Sequence, residues 1–170
     1  MNPIVLGNCL SLVACILMVT AGLLKTKKNI LISQTFQSFL FGISNFVLGG
    51  YSGFISGMVS IFRNLLFFKV TPSKKLKVMF IIIYIILSYQ PGNFKFIELM
   101  PIIAVSFFTW YLDTPSEITL KKMSIGTSFC WVLYDLNYLN FVSFTFDCLS
   151  IMTNIIGIKM ILKDQKNALK

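Results

Sequence analysis

The chain has 170 residues, 56% of them hydrophobic and 12% charged, with a mean hydropathy of +0.79 and a formal net charge of +9. So small a share of polar side chains cannot clothe a water-facing surface, which excludes an ordinary soluble domain of this length. The excess positive charge lies in short gaps between apolar runs, so it reads as a topology signal drawn to anionic lipid and not as a nucleic-acid surface.

In chain order the apolar runs cover 3–24, about 30–50, about 52–68, about 76–89, about 96–112, about 124–140 and about 143–162. Each is long enough, or nearly so, to cross a hydrocarbon core of ~30 Å at a rise of ~1.5 Å per helical residue. The expected fold is therefore an all-α membrane protein of seven transmembrane helices. Lys25, Lys27 and Lys28 follow the first run, Lys69, Lys74, Lys75 and Lys77 the third, Lys121 and Lys122 the fifth, and Lys159, Lys163, Lys166 and Lys170 the last. Only Lys95 falls in an opposite gap, and only Arg63 lies away from the ends of a run. The positive-inside rule then places the C-terminus in the cytoplasm and the N-terminus outside. The first run has no basic segment ahead of it and no small-residue cleavage site after it, so it reads as a retained helix.

Cys9, Cys15, Cys130 and Cys148 lie inside apolar runs and form no CxxC, and the chain contains no histidine. No soft-metal cluster or resident cofactor is expected, and the commonest general base near neutral pH is missing. Enzymatic chemistry is disfavoured. Glu98 with Asp147 is the one acid pair that a membrane enzyme could use.

Sliding the chain on itself by 90 residues gives a gapless register that matches Ala14 with Ala104, Ser38 and Phe39 with Ser128 and Phe129, and Phe54 with Phe144. It also matches Ser60, Ile61 and Asn64 with Ser150, Ile151 and Asn154, and Lys69 with Lys159. Runs 1 to 3 land on runs 5 to 7 with their orientation kept. The expected layout is a single transmembrane domain, residues 1–170, in a 3+1+3 plan. A first triple-helix repeat (1–70) and a second (96–165) are parallel, and a linker helix (71–95) joins them.

Polar side chains within a bilayer must face protein, water or cargo, so they mark the candidate site. Ser60, Arg63 and Asn64 share one stripe of the third run, and Asp147, Ser150 and Asn154 share one of the seventh. In the 90-residue register two amides face each other across the repeat axis, either to bind one polar solute or to hold helices together. Arg63 lies near mid-membrane and needs a partner, for which Asp135, Asp147 and Glu98 are the candidates. Its role is to fix packing, to hold an anionic group of a cargo, or to close an outer gate by pairing with Asp135. Trp110, Tyr111 and Tyr138 read as interface anchors, whereas Trp131 aligns with Tyr134 and Asp135 and stands opposite Phe41 in the register. Two aromatic faces and two amides suit a sugar, nucleoside or vitamin-sized molecule.

The segment from Ser33 to Lys69, with LGGYSGFISGMVSIFRNLLFFK at its end, resembles the YgjV family of bacterial inner-membrane proteins, as do IELMPIIAVSFFTW (97–110), FCWVLYD (129–135) and SIMTNIIGIKM (150–160). That family is similar in layout to the SWEET sugar facilitators and to the nicotinamide-riboside carriers of the PnuC type. The resemblance implies a multi-pass protein of the bacterial cytoplasmic membrane. In SWEET-like transporters an aromatic of this helix stacks on the cargo beside asparagines of helices 3 and 7, and Trp131, Asn64 and Asn154 stand where the resemblance would put them. The hinge prolines of that group are missing here, Pro101 being the only proline deep in a run.

The function expected is transport of a small polar metabolite by alternating access, with Asn64, Asn154, Trp131, Arg63, Asp135, Ser60, Ser150 and Phe41 binding it. No motor motif is present, so transport would be facilitated or coupled to an ion through Asp135, Asp147 or Glu98. The partners are the solute and the lipid bilayer, with the chain working alone or as a homodimer. The alternative is a non-transporting membrane protein, such as a regulator, an immunity protein or a partner subunit, without a central cavity.

Overall fold

The computed structural model describes residues 2–23, 27–70, 72–89, 95–111 and 117–168. Lys25 and Lys170 lie outside them, as do the side chains of Lys27 and Lys28. The described residues form seven α-helices and no strand: α1 (Pro3–Leu23), α2 (Lys27–Val47), α3 (Tyr51–Lys69), α4 (Lys74–Ser88), α5 (Leu99–Tyr111), α6 (Glu117–Asn137) and α7 (Phe141–Ala168). A single 3-10 turn, Phe96–Glu98, leads into α5. By length and composition one described helix, Phe141–Asn167, is long and apolar enough to cross a membrane, and Pro3–Met18 and Phe96–Tyr111 are shorter apolar helices.

Helix boundaries follow local chemistry. Ser73, extended at φ −79°, accepts the Leu76 N–H at 3.2 Å and starts α4 after Pro72. Pro101 stands at the third residue of α5 and not deep in a span, because the preceding residues coil as the 3-10 turn. There its missing N–H forfeits no helical bond. α2 ends in a left-handed Gly49 (φ 83°) with the Gly50 N–H on the Asn45 carbonyl at 2.7 Å. α6 ends in the same way, with Leu139 at φ 56° and the Asn140 N–H on the Asp135 carbonyl at 2.9 Å.

α2 packs between α1 and α3, and α6 between α5 and α7. The two groups meet where α1 lies along α7 and α3 along α5, while α4 rests on α3 and α5. The apolar core is small: Val59, Phe67, Phe80, Tyr84 and Val105, from α3, α4 and α5. Phe67 and Phe80 meet edge to face at 5.6 Å. Elsewhere the interior is polar. Ser11 and Ser44 are fully buried and bonded Oγ to Oγ at 2.7 Å, while Phe46, Phe62, Ile86 and Phe129 are all more than half exposed. Apolar outside and polar inside is the reverse of a protein in water, and it suits a hydrocarbon solvent in which interhelical hydroxyl bonds take the place of a hydrophobic core.

Gly57 sets how closely α2 and α3 approach: a Cβ there would stand 2.7 Å from the Ser38 carbonyl oxygen and 2.9 Å from Gly42 Cα, both backbone. Around Gly126 in α6 nothing lies within 4 Å. Gly57→Ala is expected to destabilise by roughly 1–3 kcal/mol through overpacking, and Gly126→Ala to be neutral or stabilising by up to ~1 kcal/mol. Thermal melts of the purified variants in detergent check this. Equal melting shifts would show that the α2–α3 approach is not tight.

Candidate functional site

α2 and α3 face α6 and α7 across an internal cavity of about 770 Å³. It follows α6 from Asp135 to Lys121, a length of about 21 Å at the helical rise. All eight residues singled out from the sequence line it: Phe41 on α2, Ser60, Arg63 and Asn64 on α3, Trp131 and Asp135 on α6, and Ser150 and Asn154 on α7. They converge because each helix turns the same polar stripe inward at intervals of three or four residues.

The cavity lining includes residues 90 apart in the sequence: Ser38 and Ser128, Phe41 and Trp131, Asn45 and Asp135, Gly57 and Asp147, Ser60 and Ser150, and Asn64 and Asn154. The charges depart from the pairing. Asp135 replaces an amide and Asp147 a glycine, so both acids lie on one side of the cavity, while the buried cation, Arg63, lies on the other and is matched by Thr153.

Arg63 is 4% exposed and pairs with no carboxylate among the described residues. Its Nε and one terminal nitrogen donate to Asn64 Oδ1 at 3.2 and 3.0 Å, and the other terminal nitrogen donates to Thr109 Oγ1 at 3.1 Å. The guanidinium carbon sits 5.1 Å from the centre of the Phe108 ring. The expected pairing with Asp135 fails on depth. α3 begins at Tyr51, so Arg63 lies about 18 Å along it, whereas Asp135 is about 3 Å from the end of α6. Glu98 is committed elsewhere. Neither Thr109 nor Phe108 stood out in the sequence, because a lone threonine and one phenylalanine among 17 carry no spacing signal.

Asn64 is 1% exposed, and with its oxygen taken by Arg63 its amide nitrogen has no partner. Asn154 donates to the Ser150 carbonyl of its own helix at 2.8 Å, and Ser150 shares a weak contact with Ser128 at 3.4 Å. Neither amide is spent on joining two helices. Trp131 meets Tyr134 edge to face at 5.7 Å.

Asp135 on α6 and Asp147 on α7 both line this side of the cavity. Asn140 Nδ2 adds a long contact to Asp135 at 3.4 Å. On the opposite wall the paired position, Asn45, is 3% exposed and its side-chain oxygen has no partner. The register relating 45 to 135 and 57 to 147 was readable in the sequence, but a match between unlike residues does not score as an identity.

Beyond the two acids, the turns at that end are tied together by hydrogen bonds. The Gly53 N–H donates to the Tyr134 hydroxyl at 2.9 Å, and the Ser52 N–H to Glu98 Oε2 at 2.9 Å. The Tyr138 hydroxyl donates to the other Glu98 oxygen. Asn8 ties α1 to α7 by donating to the Leu139 carbonyl at 3.0 Å and accepting from the Val142 N–H at 3.0 Å. Gly53 permits this closure, because a Cβ there would stand 2.8 Å from the Tyr134 ring. Tyr138 is thus a latch between the α6–α7 turn and Glu98, not merely an interface anchor, while Trp110 is 42% exposed with Lys77 Nζ 6.0 Å from its ring centre.

Tyr138→Phe leaves one oxygen of the buried Glu98 without its donor. A loss of roughly 1–3 kcal/mol is expected in the detergent melt, and Glu98→Gln should cost a comparable amount by removing the charge that both donors address. A Tyr138→Phe melt identical to wild type would show that the latch contributes nothing.

The family model Imp-YgjV, described as a bacterial inner membrane protein, matches residues 5–165. No curated protein and no solved structure matches the chain.

Proposed function

We propose that this chain, which belongs to the Imp-YgjV family of bacterial inner membrane proteins, is a transporter that carries a small polar solute through the cavity between two parallel three-helix halves. The paired polar lining carries the proposal. A protein that needed only to fill a membrane would close such a space with apolar side chains, since each unpartnered polar group in hydrocarbon is costly. Here Asn45 and Asn64 keep unpartnered polar atoms on its walls.

Residues 1–70 form the first half, 71–95 the linking segment with α4, and 96–165 the second half of one seven-span domain. Three features support that division. α2 and α6 end at residues 47 and 137, α3 and α7 begin at 51 and 141, and the left-handed residues that separate them are 49 and 139, all 90 apart. The contact of α1 with α7 is the counterpart of that of α5 with α3. Two such halves can rock about their common axis so that the cavity opens first at one end and then at the other, as repeat-built transporters do. The bonds of Glu98, Tyr134, Tyr138 and Asn8 form the gate at the turn end. Each is worth only about 0.5–1.5 kcal/mol net, so together they bias the gate without locking it. Phe41 and Trp131 offer ring faces to the solute, and Asn64, Asn154, Ser60 and Ser150 offer donors and acceptors.

The lysines orient the domain, with the gate end and Lys95 outside and the Lys74–Lys77 segment and the C-terminus in the cytoplasm. In a variant freed of native cysteines, Lys95→Cys should react with an impermeant maleimide in intact cells, and Lys74→Cys only after permeabilisation. The reverse pattern would invert the proposed topology.

Transport itself is tested without knowing the solute. Proteoliposomes loaded with a bacterial metabolite extract are sampled outside by mass spectrometry. Wild type should release at least one polar solute that protein-free vesicles retain, and Trp131→Ala or Asn154→Ala should slow that release at least tenfold per folded molecule. Release no different from protein-free vesicles favours the non-transporting alternative.

A further inference from the structure

Resting on that transporter reading, the geometry points to the charge class of the cargo: we propose that the Arg63 guanidinium and the Asn64 amide form a cradle for an oxyanion, so that the solute is a carboxylate or a phosphate ester and not a neutral sugar. Three observations converge on it. Arg63 is 4% exposed at mid-depth, lines the cavity, and spends its three side-chain hydrogen bonds on neutral oxygens only. A guanidinium has five N–H donors, and its charge here is met by no described carboxylate. Secondly, Asn64 is turned by those bonds. Its oxygen accepts from both Nε and a terminal nitrogen of Arg63, which fixes the amide plane and leaves its NH₂ group as a buried donor without a partner, on a residue that also lines the cavity.

The acids, thirdly, are too far away to compensate. Asp135 lies about 15 Å from Arg63 along the helix direction and Asp147 about 9 Å. Glu98 is taken by the Ser52 N–H and the Tyr138 hydroxyl. Everything that Arg63 and Asn64 still present is therefore a donor, next to a full positive charge over the Phe108 face. A cation finds no acceptor there, and a neutral sugar would leave the charge uncompensated. A carboxylate or phosphate oxygen satisfies both the charge and the idle donors through charge-assisted bonds. Lys121, on the opposite α6 wall and farther from the gate, adds a second cation on the route to the cradle.

The probes are inorganic phosphate and sulfate against chloride at equal ionic strength, read by thermal melting and by Trp fluorescence of the purified full chain in zwitterionic nanodiscs. Phosphate and sulfate should raise the melting point of wild type in a saturable way where chloride does not. Arg63→Gln should weaken the apparent affinity at least tenfold, with Arg63→Lys between them because it keeps the charge and loses the planar fork. Because Arg63→Gln can compromise folding, Asn64→Asp serves as the second variant. It places a carboxylate 3.0–3.2 Å from the guanidinium, so it should preserve or raise basal stability while abolishing the phosphate response. No oxyanion-specific response in wild type, or an unchanged response in Asn64→Asp, overturns the cradle. Loss of the response when phosphatidylglycerol replaces phosphatidylcholine in the nanodisc assigns the donors to a lipid headgroup and overturns the cargo assignment. The two readings fail separately: wild type that binds phosphate yet releases nothing from proteoliposomes defeats transport alone, whereas Arg63→Gln that releases a neutral solute as fast as wild type defeats the cradle alone.

Discussion

A hydrocarbon solvent forms no hydrogen bonds, and that constraint organises this molecule. A set of hydroxyls, amides and charges is drawn inward, so that the interior holds Ser11, Ser44, Asn45, Ser60, Arg63, Asn64, Asp135 and Asn140 where a soluble protein would hold leucine and phenylalanine. Cohesion then comes from close backbone approach and from hydroxyl bonds across helices. Gly57 lets α2 and α3 touch, and Ser44, bonded to Ser11 and to the Gly7 carbonyl at 2.7 Å, pins α1 to α2. The same inward gathering yields a polar cavity once the helices facing each other across the centre are held apart by α1 against α7 and α3 against α5.

The departures from the pairing are as informative as the pairing. Where α2 and α3 use Gly57 to come together, α7 has Asp147, and where α2 ends in Asn45, α6 ends in Asp135. Both carboxyls therefore lie on the α6–α7 side, toward the turn end, while Arg63 sits deeper on the opposite wall. A cavity with its acids at one level and Arg63 at another is polarised along its length. Insertion scales price an arginine at the centre of a membrane helix at ~2.5–3.5 kcal/mol, and three bonds to neutral oxygens plus a ring face offset part of that cost.

Membership of an inner-membrane family and the reversed distribution of polar and apolar side chains agree on where the chain resides. The hydrogen bonds at the turn end join four segments beside the cavity: the start of α1, the start of α3, the 3-10 turn before α5 and the end of α6 with the turn that follows it.

Sequence by itself determined the helices, because apolar run length and turn chemistry are local properties. Each of the seven runs became one helix with ends shifted by a few residues, the largest shifts being at the start of α6, which opens at Glu117 ahead of its apolar run, and at the end of α7. It also determined which residues meet in the cavity, since a stripe of polar positions in lipid has only the interior to face, and Asn64, Asn154, Trp131 and Phe41 do share that space. Partner choice was decided only by the tertiary structure. Attraction between Arg63 and Asp135 is legible as charge, but whether they meet depends on the axial offset of two helices from different halves, which no local signal encodes. The fold places them about 15 Å apart in depth, gives Arg63 to Asn64 and Thr109, and leaves Asp135 beside Asn140 of the α6–α7 turn.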